Sequence, residues 1–268
     1  MRHAGHIGLA LLLAARLAGA QGIDSTSRGD KTFLTRRDLL TTGLAIGATA
    51  LLSRWDPDIA RESQTSRYRG SSTIRLAQNI SKVNETTLTV GGIVVYGIAR
   101  LSHSATVSDI ALHATESVVL ASVASQLIRG PLGRSRPYVT KDSNQYDFSA
   151  GGGFRNFDRR AFPSIHTSSS IAVATVLTME TKRRHPGATL FVAPVLFAAG
   201  LLPGLARIEL DQHWASDVVS GALMGAFAGY KVTKYSHDHP GNRFDRVLLH
   251  ASVSRGENGE ALVGFSLQ

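Results

Sequence analysis

Pro163-Ser164-Ile165-His166 opens directly onto Thr167-Ser168-Ser169-Ser170-Ile171-Ala172-Val173, a turn that delivers a serine and a histidine to the start of a helical run. Upstream stands Arg129-x6-Arg136-Pro137, and downstream Arg207-x5-His213-x3-Asp217. Together the three stretches supply permanent cations, two histidines, a hydroxyl and a carboxylate, the groups that hold a phosphate and break its ester bond. No single stretch carries that reading; the order and spacing of all three do.

Arginine suits phosphate because its planar, always-charged fork makes two parallel charge-assisted hydrogen bonds. Arg129, Arg136 and Arg207 are the candidates, although each alone reads as a surface arginine or an ordinary ion pair, the role left to Arg134. Ser164 stands where it can cap the helix that follows, and unpaired amides at a helix start attract anions. His166 then lies at the rim of that anion site. His213 and Asp217 share a helical face, so the carboxylate can hold the imidazole in one tautomer and leave its other nitrogen free as a nucleophile. A plain ion pair or a metal pair fits the same spacing. Against metal, no further histidine or carboxylate stands at ligand spacing nearby, and His113 with Glu116 reads as a hydrogen-bonding pair of the core.

The three stretches resemble the signature of the type 2 phosphatidic acid phosphatase superfamily, which includes bacterial acid phosphatases, lipid phosphatases and vanadium-dependent haloperoxidases. The family pattern is K-x6-R-P, P-S-G-H and S-R-x5-H-x3-D. This chain has Arg129 for the lysine, Ile165 for the glycine and Ala206 for the second serine. A position at positive φ or in very close contact with phosphate demands glycine, whereas a helical one accepts isoleucine. The resemblance implies an all-α helical bundle and a phosphatase without cofactor or metal. By the same resemblance His213 attacks phosphorus, Asp217 supports the imidazolium, and His166 protonates the leaving oxygen and then activates water. Arg129, Arg136, Arg207, Ser164 and the amides near Ile165 hold the phosphoryl oxygens. The implied substrate is a phosphorylated small molecule or a lipid phosphate. Two rivals remain open: a vanadate-dependent haloperoxidase, for which the chain is short, and a non-catalytic envelope protein that binds an anion or lipid headgroup.

The 268 residues are 43% hydrophobic and contain no cysteine, which permits one sizeable core and excludes disulfides, thiolate metal sites and a cysteine nucleophile. A net charge of +9 favours anionic substrates. Nucleic acid is disfavoured because the basic clusters are short and no aromatic residues interleave with them. Residues 1–20 read as an export signal, with Arg2 and His3 ahead of an apolar run and Ala18-Gly19-Ala20 before Gln21, so the expected location is the periplasm or the outer face of the cell envelope. Residues 21–32 read as a linker, 33–235 as the phosphatase-like domain, and 236–268 as a tail with a short β-hairpin. Thr35-Arg36-Arg37-Asp38-Leu39-Leu40 resembles a twin-arginine signal, but the first helix of the domain is the favoured reading.

Apolar periodicity places helices at 38–53, 73–83, 88–101, 108–128, 168–181, 188–202 and 215–234. A soluble bundle or one with peripheral membrane contact follows. The serious membrane candidate is 188–206, broken by Pro194, Gly200, Pro203 and Gly204. The polar segment 138–160, with three consecutive glycines, reads as a mobile rim beside the site. Oligomeric state leaves no trace in the sequence.

Overall fold

A computed structural model describes residues 33–65, 70–240, 242, 245, 251–255 and 261–265; the expected export signal and linker lie outside them. Helix α1 (Arg36–Leu52) begins at Thr35, whose side chain and backbone exchange hydrogen bonds with Asp38 in a capping box. The twin-arginine-like stretch is therefore helix start. Lys231 ties Asp38 to the far end of the chain at 2.9 Å. Helix α2 (Asp56–Ser63) is not among the helices read from the sequence, and it carries Pro57 in its first turn. There the missing proline N–H has no intrahelical partner to lose, so the proline suits a helix start.

Helices α3 (Ser71–Ile80), α4 (Glu85–Leu101) and α5 (Ala105–Leu132) follow, and α5 ends at Gly133, whose φ of 60° closes the helix in the left-handed region. After the short α6 (Gly152–Arg155) come α7 (Ile165–Arg184), α8 (Thr189–Glu209) and α9 (Ala215–Asp238). Helix α7 is the axis of the bundle, packed on α5, α8 and α9; α1 lies on α9, α4 on α5 and α3 on α8. Strands β1 (Ala251–Arg255) and β2 (Ala261–Phe265) pair antiparallel, Ala251 opposite Phe265.

The α7–α9 contact is built from backbone rather than from large side chains. A Cβ on Gly221, Gly225 or Gly229 would collide with the carbonyl oxygen of Ser164, Ser168 or Ala172 in turn. The same four-residue step on both helices brings their backbones together along one ridge. The hydroxyls of α7 are answered within the core: Ser168 meets Ser125 at 3.1 Å, Ser169 meets Ser122 at 3.2 Å, and Ser170 donates to Gly200 O at 2.6 Å. The apolar clusters are correspondingly small-residue ones, with Ala121, Ala172 and Ala228 in one and Ile171, Ala222 and Ala226 in another.

Helix α8 does not break at its prolines and glycines. Gly200 backs onto Ser170, Ile171 and Ala174, and Gly204 onto Thr167 and Val218, so both glycines serve close packing, and the Ser170 hydroxyl donates to Gly200 O across the contact. Two segments, Ala105–Leu132 and Pro186–Glu209, are long and apolar enough to cross a membrane. The first was not singled out from sequence because polar residues punctuate it, but Ser117 and Ser125 face inward and are fully buried. Outward, α1 exposes Leu39, Leu40 and Leu44, α4 exposes Ile93, Val94 and Ile98, and α8 exposes Leu190, Phe191 and Val195.

The 138–160 segment is a folded wall rather than a loose rim. Arg129 donates from Nε and a terminal nitrogen to Arg160 O at 2.9 and 2.5 Å, and Arg160 Nε donates to Gly153 O at 2.5 Å. Ser135 N donates to Asp147 O at 2.9 Å, and Arg159 pairs with Asp147 at 3.3 Å. The polar composition that suggests a loose loop is what supplies these bonds.

Candidate active site

His213 lies in the turn between α8 and α9, fully buried, with Nδ1 3.5 Å from Asp217 Oδ2 in the first turn of α9. His166, in the first turn of α7, presents its ring to His213 with centroids 6.5 Å apart. Ser164 N donates to Asp217 O at 3.0 Å, which joins the starts of α7 and α9 and brings the second and third sequence stretches into one site.

The three arginines expected there arrive with different degrees of freedom. Arg129, at the end of α5, is 5% exposed and spends two donors on Arg160 O. Arg136 donates to the amide oxygen of Gln212 and lies 4.4 Å from the Phe157 ring centroid. Arg207 donates to the same Gln212 oxygen at 3.1 Å. The Nε atoms of Arg136 and Arg207, Nδ1 of His166 and both ring nitrogens of His213 are buried without a hydrogen-bond partner from the protein. Burial first, then the charges of Arg136, Arg207 and Arg129, hold His213 well below the ordinary histidine range, so its imidazole is neutral.

Ser164 occupies the N-cap of α7, but its side chain makes no capping bond; it accepts from Thr167 Oγ1 at 3.0 Å instead. The capping expectation is corrected accordingly: full burial turns the hydroxyl into the core. Ile165 is the first residue of α7 and is 2% exposed. It is absent from the residues at positive φ, so the helical alternative holds and isoleucine fits its place.

Arg134, assigned to an ordinary role in the sequence, is instead the centre of a buried network. It donates to Asp217 Oδ1 at 2.5 Å, Ser216 Oγ at 2.8 Å, Asp56 Oδ2 at 2.8 Å and Gln145 O at 2.9 Å. Asp217 Oδ2 accepts the Trp214 amide at 2.9 Å, and Trp214 Nε1 donates to Ser135 O at 2.9 Å. Burial pushes Asp56 up to about 6 against the opposing pull of Arg134, with Asp217 adding to the rise. Arg134 and Trp214 thus hold the Asp217 carboxylate 3.5 Å from His213 Nδ1. Gln212 and Asp56 were likewise missed. Gln212 adjoins His213 in sequence, but Asp56 reaches Ser216 across 160 positions, and no local pattern marks it.

Comparison with known proteins agrees with this architecture. Residues 110–240, which contain all three stretches, match the PAP2 superfamily. A lipid A 1-phosphatase of Porphyromonas gingivalis is 33% identical over 69 residues, which is 26% of this chain and 15% of that protein's length. The crystal structure of a transmembrane PAP2 type phosphatidylglycerolphosphate phosphatase from Bacillus subtilis superposes with a TM-score of 0.52 at 16% identity, covering 89% of this chain and 98% of that one. That likeness is one of fold, and it establishes the all-α bundle.

Proposed function

We propose that the chain is a membrane-embedded phosphatase that hydrolyses a phosphate ester carried by a lipid, without a metal, through a phosphohistidine. The observation that carries this reading is the group of buried, unpartnered nitrogens on Arg136, His166, Arg207 and His213. Buried polar groups are nearly always bonded, so such a group fits a phosphoryl ligand that supplies the missing acceptors.

In this mechanism the lone pair of neutral His213 attacks phosphorus while the bond to the leaving oxygen breaks and His166 gives that oxygen a proton. Burial and the arginines hold the His166 pKa down to about 2 by themselves, so the charge of the bound phosphoryl group is what lets His166 carry that proton. His166 then takes a proton from water, whose oxygen attacks phosphorus and expels His213 as phosphate leaves. Arg136, Arg207 and Arg129 stabilise the charge on the three other oxygens. Asp217, held by Arg134, steadies the imidazole as it becomes cationic. Ile165 at a helical position, without positive φ, supports the phosphatase reading over a non-catalytic binding protein.

The lipid assignment draws on the apolar faces of α1, α4 and α8, which exceed what scattered surface leucines account for, and on the lipid phosphatases the chain resembles. An exported location, with the site on the periplasmic or outer side of the envelope, draws on the signal-like residues 1–20. The test is phosphate release from phosphatidate, an isoprenoid diphosphate and p-nitrophenyl phosphate in detergent micelles containing EDTA. Wild-type protein should prefer a lipid, and His213→Ala should lose about ten-thousand-fold or more in turnover. Equal turnover in the two proteins would overturn the proposal.

A further inference from the structure

The end of the bundle remote from His213 holds a second group of convergent side chains. Asp109 and His113 stand one turn apart near the start of α5, Glu180 lies near the end of α7, and His237 near the end of α9. One ligand-type atom from each of the four lies within 4.8 Å of all the others. Ligand atoms about 2.1 Å from a tetrahedral ion stand about 3.4 Å from one another, so the group must adjust by about 1 Å to close around one cation.

Two features distinguish this from an accidental cluster of charges. His113 is 1% exposed, and its Nδ1 has no hydrogen-bond partner while facing Asp109 Oδ1 at 3.6 Å. Its other nitrogen, Nε2, meets Asp245 Oδ2 at 3.4 Å. A carboxylate behind one imidazole nitrogen fixes the proton there and leaves a bare lone pair on the other, the arrangement that accompanies metal-bound histidine. The second feature is how the two carboxylates divide their oxygens. Arg183 and Arg184 hold Glu180 Oε2 at 3.2 and 3.1 Å, and Arg184 holds Asp109 Oδ2 at 3.4 Å. Glu180 Oε1 is hydrogen-bonded to His237 Nε2, a contact that an ion would open and replace, and Asp109 Oδ1 faces His113.

We propose that Asp109, His113, Glu180 and His237 bind one divalent transition cation of the zinc class, with Asp245 fixing the His113 tautomer from outside. Two imidazoles with two carboxylates suit zinc rather than magnesium or calcium, which prefer all-oxygen shells. The ion would tie α5, α7 and α9 together. It takes no part in phosphoryl transfer, since the 16 residues of α5 between His113 and Arg129 span about 24 Å.

The test uses full-length, tag-free protein in detergent, stripped with EDTA, desalted and titrated with Zn2+. Wild type should retain about one equivalent by elemental analysis, and its melting temperature should rise with Zn2+ but not with Mg2+ or Ca2+. His113→Ala risks unfolding, so the informative variants are His237→Ala, whose side chain is 26% exposed, and Asp109→Asn. Each should melt cooperatively without metal and bind Zn2+ at least tenfold more weakly. No retained equivalent in wild type, or undiminished binding in both variants, would overturn the proposal. So would loss of binding in Glu116→Gln with His237→Ala unaffected, which would put the ion on the Nε2 side of His113.

Discussion

Arg134 and Arg136 are two residues apart and both almost wholly buried, yet they stand in opposite situations. Behind His213, Arg134 finds two carboxylates, a hydroxyl and a backbone carbonyl. On the other side, Arg136 and Arg207 share one neutral amide oxygen on Gln212 and retain unpartnered Nε atoms. The difference separates two uses of buried charge: answered by fixed partners, it holds the fold in one arrangement; left with donors to spare, it is reserved for an anion that comes and goes. Motif spacing singles out Arg136, but what Arg134 does lies in which residues face its guanidinium.

The contrast can be broken by exchanging the two roles. Arg134→Gln leaves Asp56 and Asp217 buried together without their cation and should destabilise the protein by about 3–5 kcal/mol, read from the denaturation midpoint. Arg136→Gln should leave that midpoint nearly unchanged and instead lower kcat by about 100- to 1,000-fold, the cost of removing one donor to transition-state charge. If both variants lose stability and neither loses rate selectively, the division of labour is wrong. Ile165→Gly, which restores the family residue, sharpens the same boundary. It removes a buried side chain from the first turn of α7 and should cost about 2–4 kcal/mol of stability.

The smallest effect is on pH dependence. Buried beside three arginines, His213 has its pKa lowered, so its neutral, reactive form persists to more acidic pH than a free histidine near 6.5. The acid limb of kcat/KM should therefore lie below that value. Arg207→Gln removes one of the cations that depress it and should move the limb upward, toward 6.5; a downward shift would contradict the assignment. For stability the sign follows from linkage: the folded state refuses a proton that the unfolded chain accepts, so this contribution is lost as pH falls below about 6.5.

Much of the helical framework was legible because apolar periodicity is a local property, and six of the seven helices read from the sequence coincide to within about four residues at each end with those observed. The seventh, α8, continues past its prolines to Glu209 because α7 supports it, a fact of packing rather than of sequence. Helix α2 was hidden by Pro57, whose meaning depends on which side of a helix boundary it falls. At the site, His166, His213 and Asp217 were legible because each sits in a short, ordered motif. Arg134, Asp56 and Gln212 were not: their roles come from contacts made only once α2, the 138–160 wall and α9 are assembled.

The ridge of Gly221, Gly225 and Gly229 on α9 works as a gauge block between two machine parts. Side-chain packing yields by rotamer changes, but carbonyls set against bare α-carbons have no slack, so the axial offset of α7 and α9 is fixed along their whole length. The gap between His166 and His213 inherits that tolerance. Enzymological damage can therefore arise far from the chemistry: a single methyl group added at Gly229, two turns beyond Gly221, would be felt as a misalignment of the two histidines.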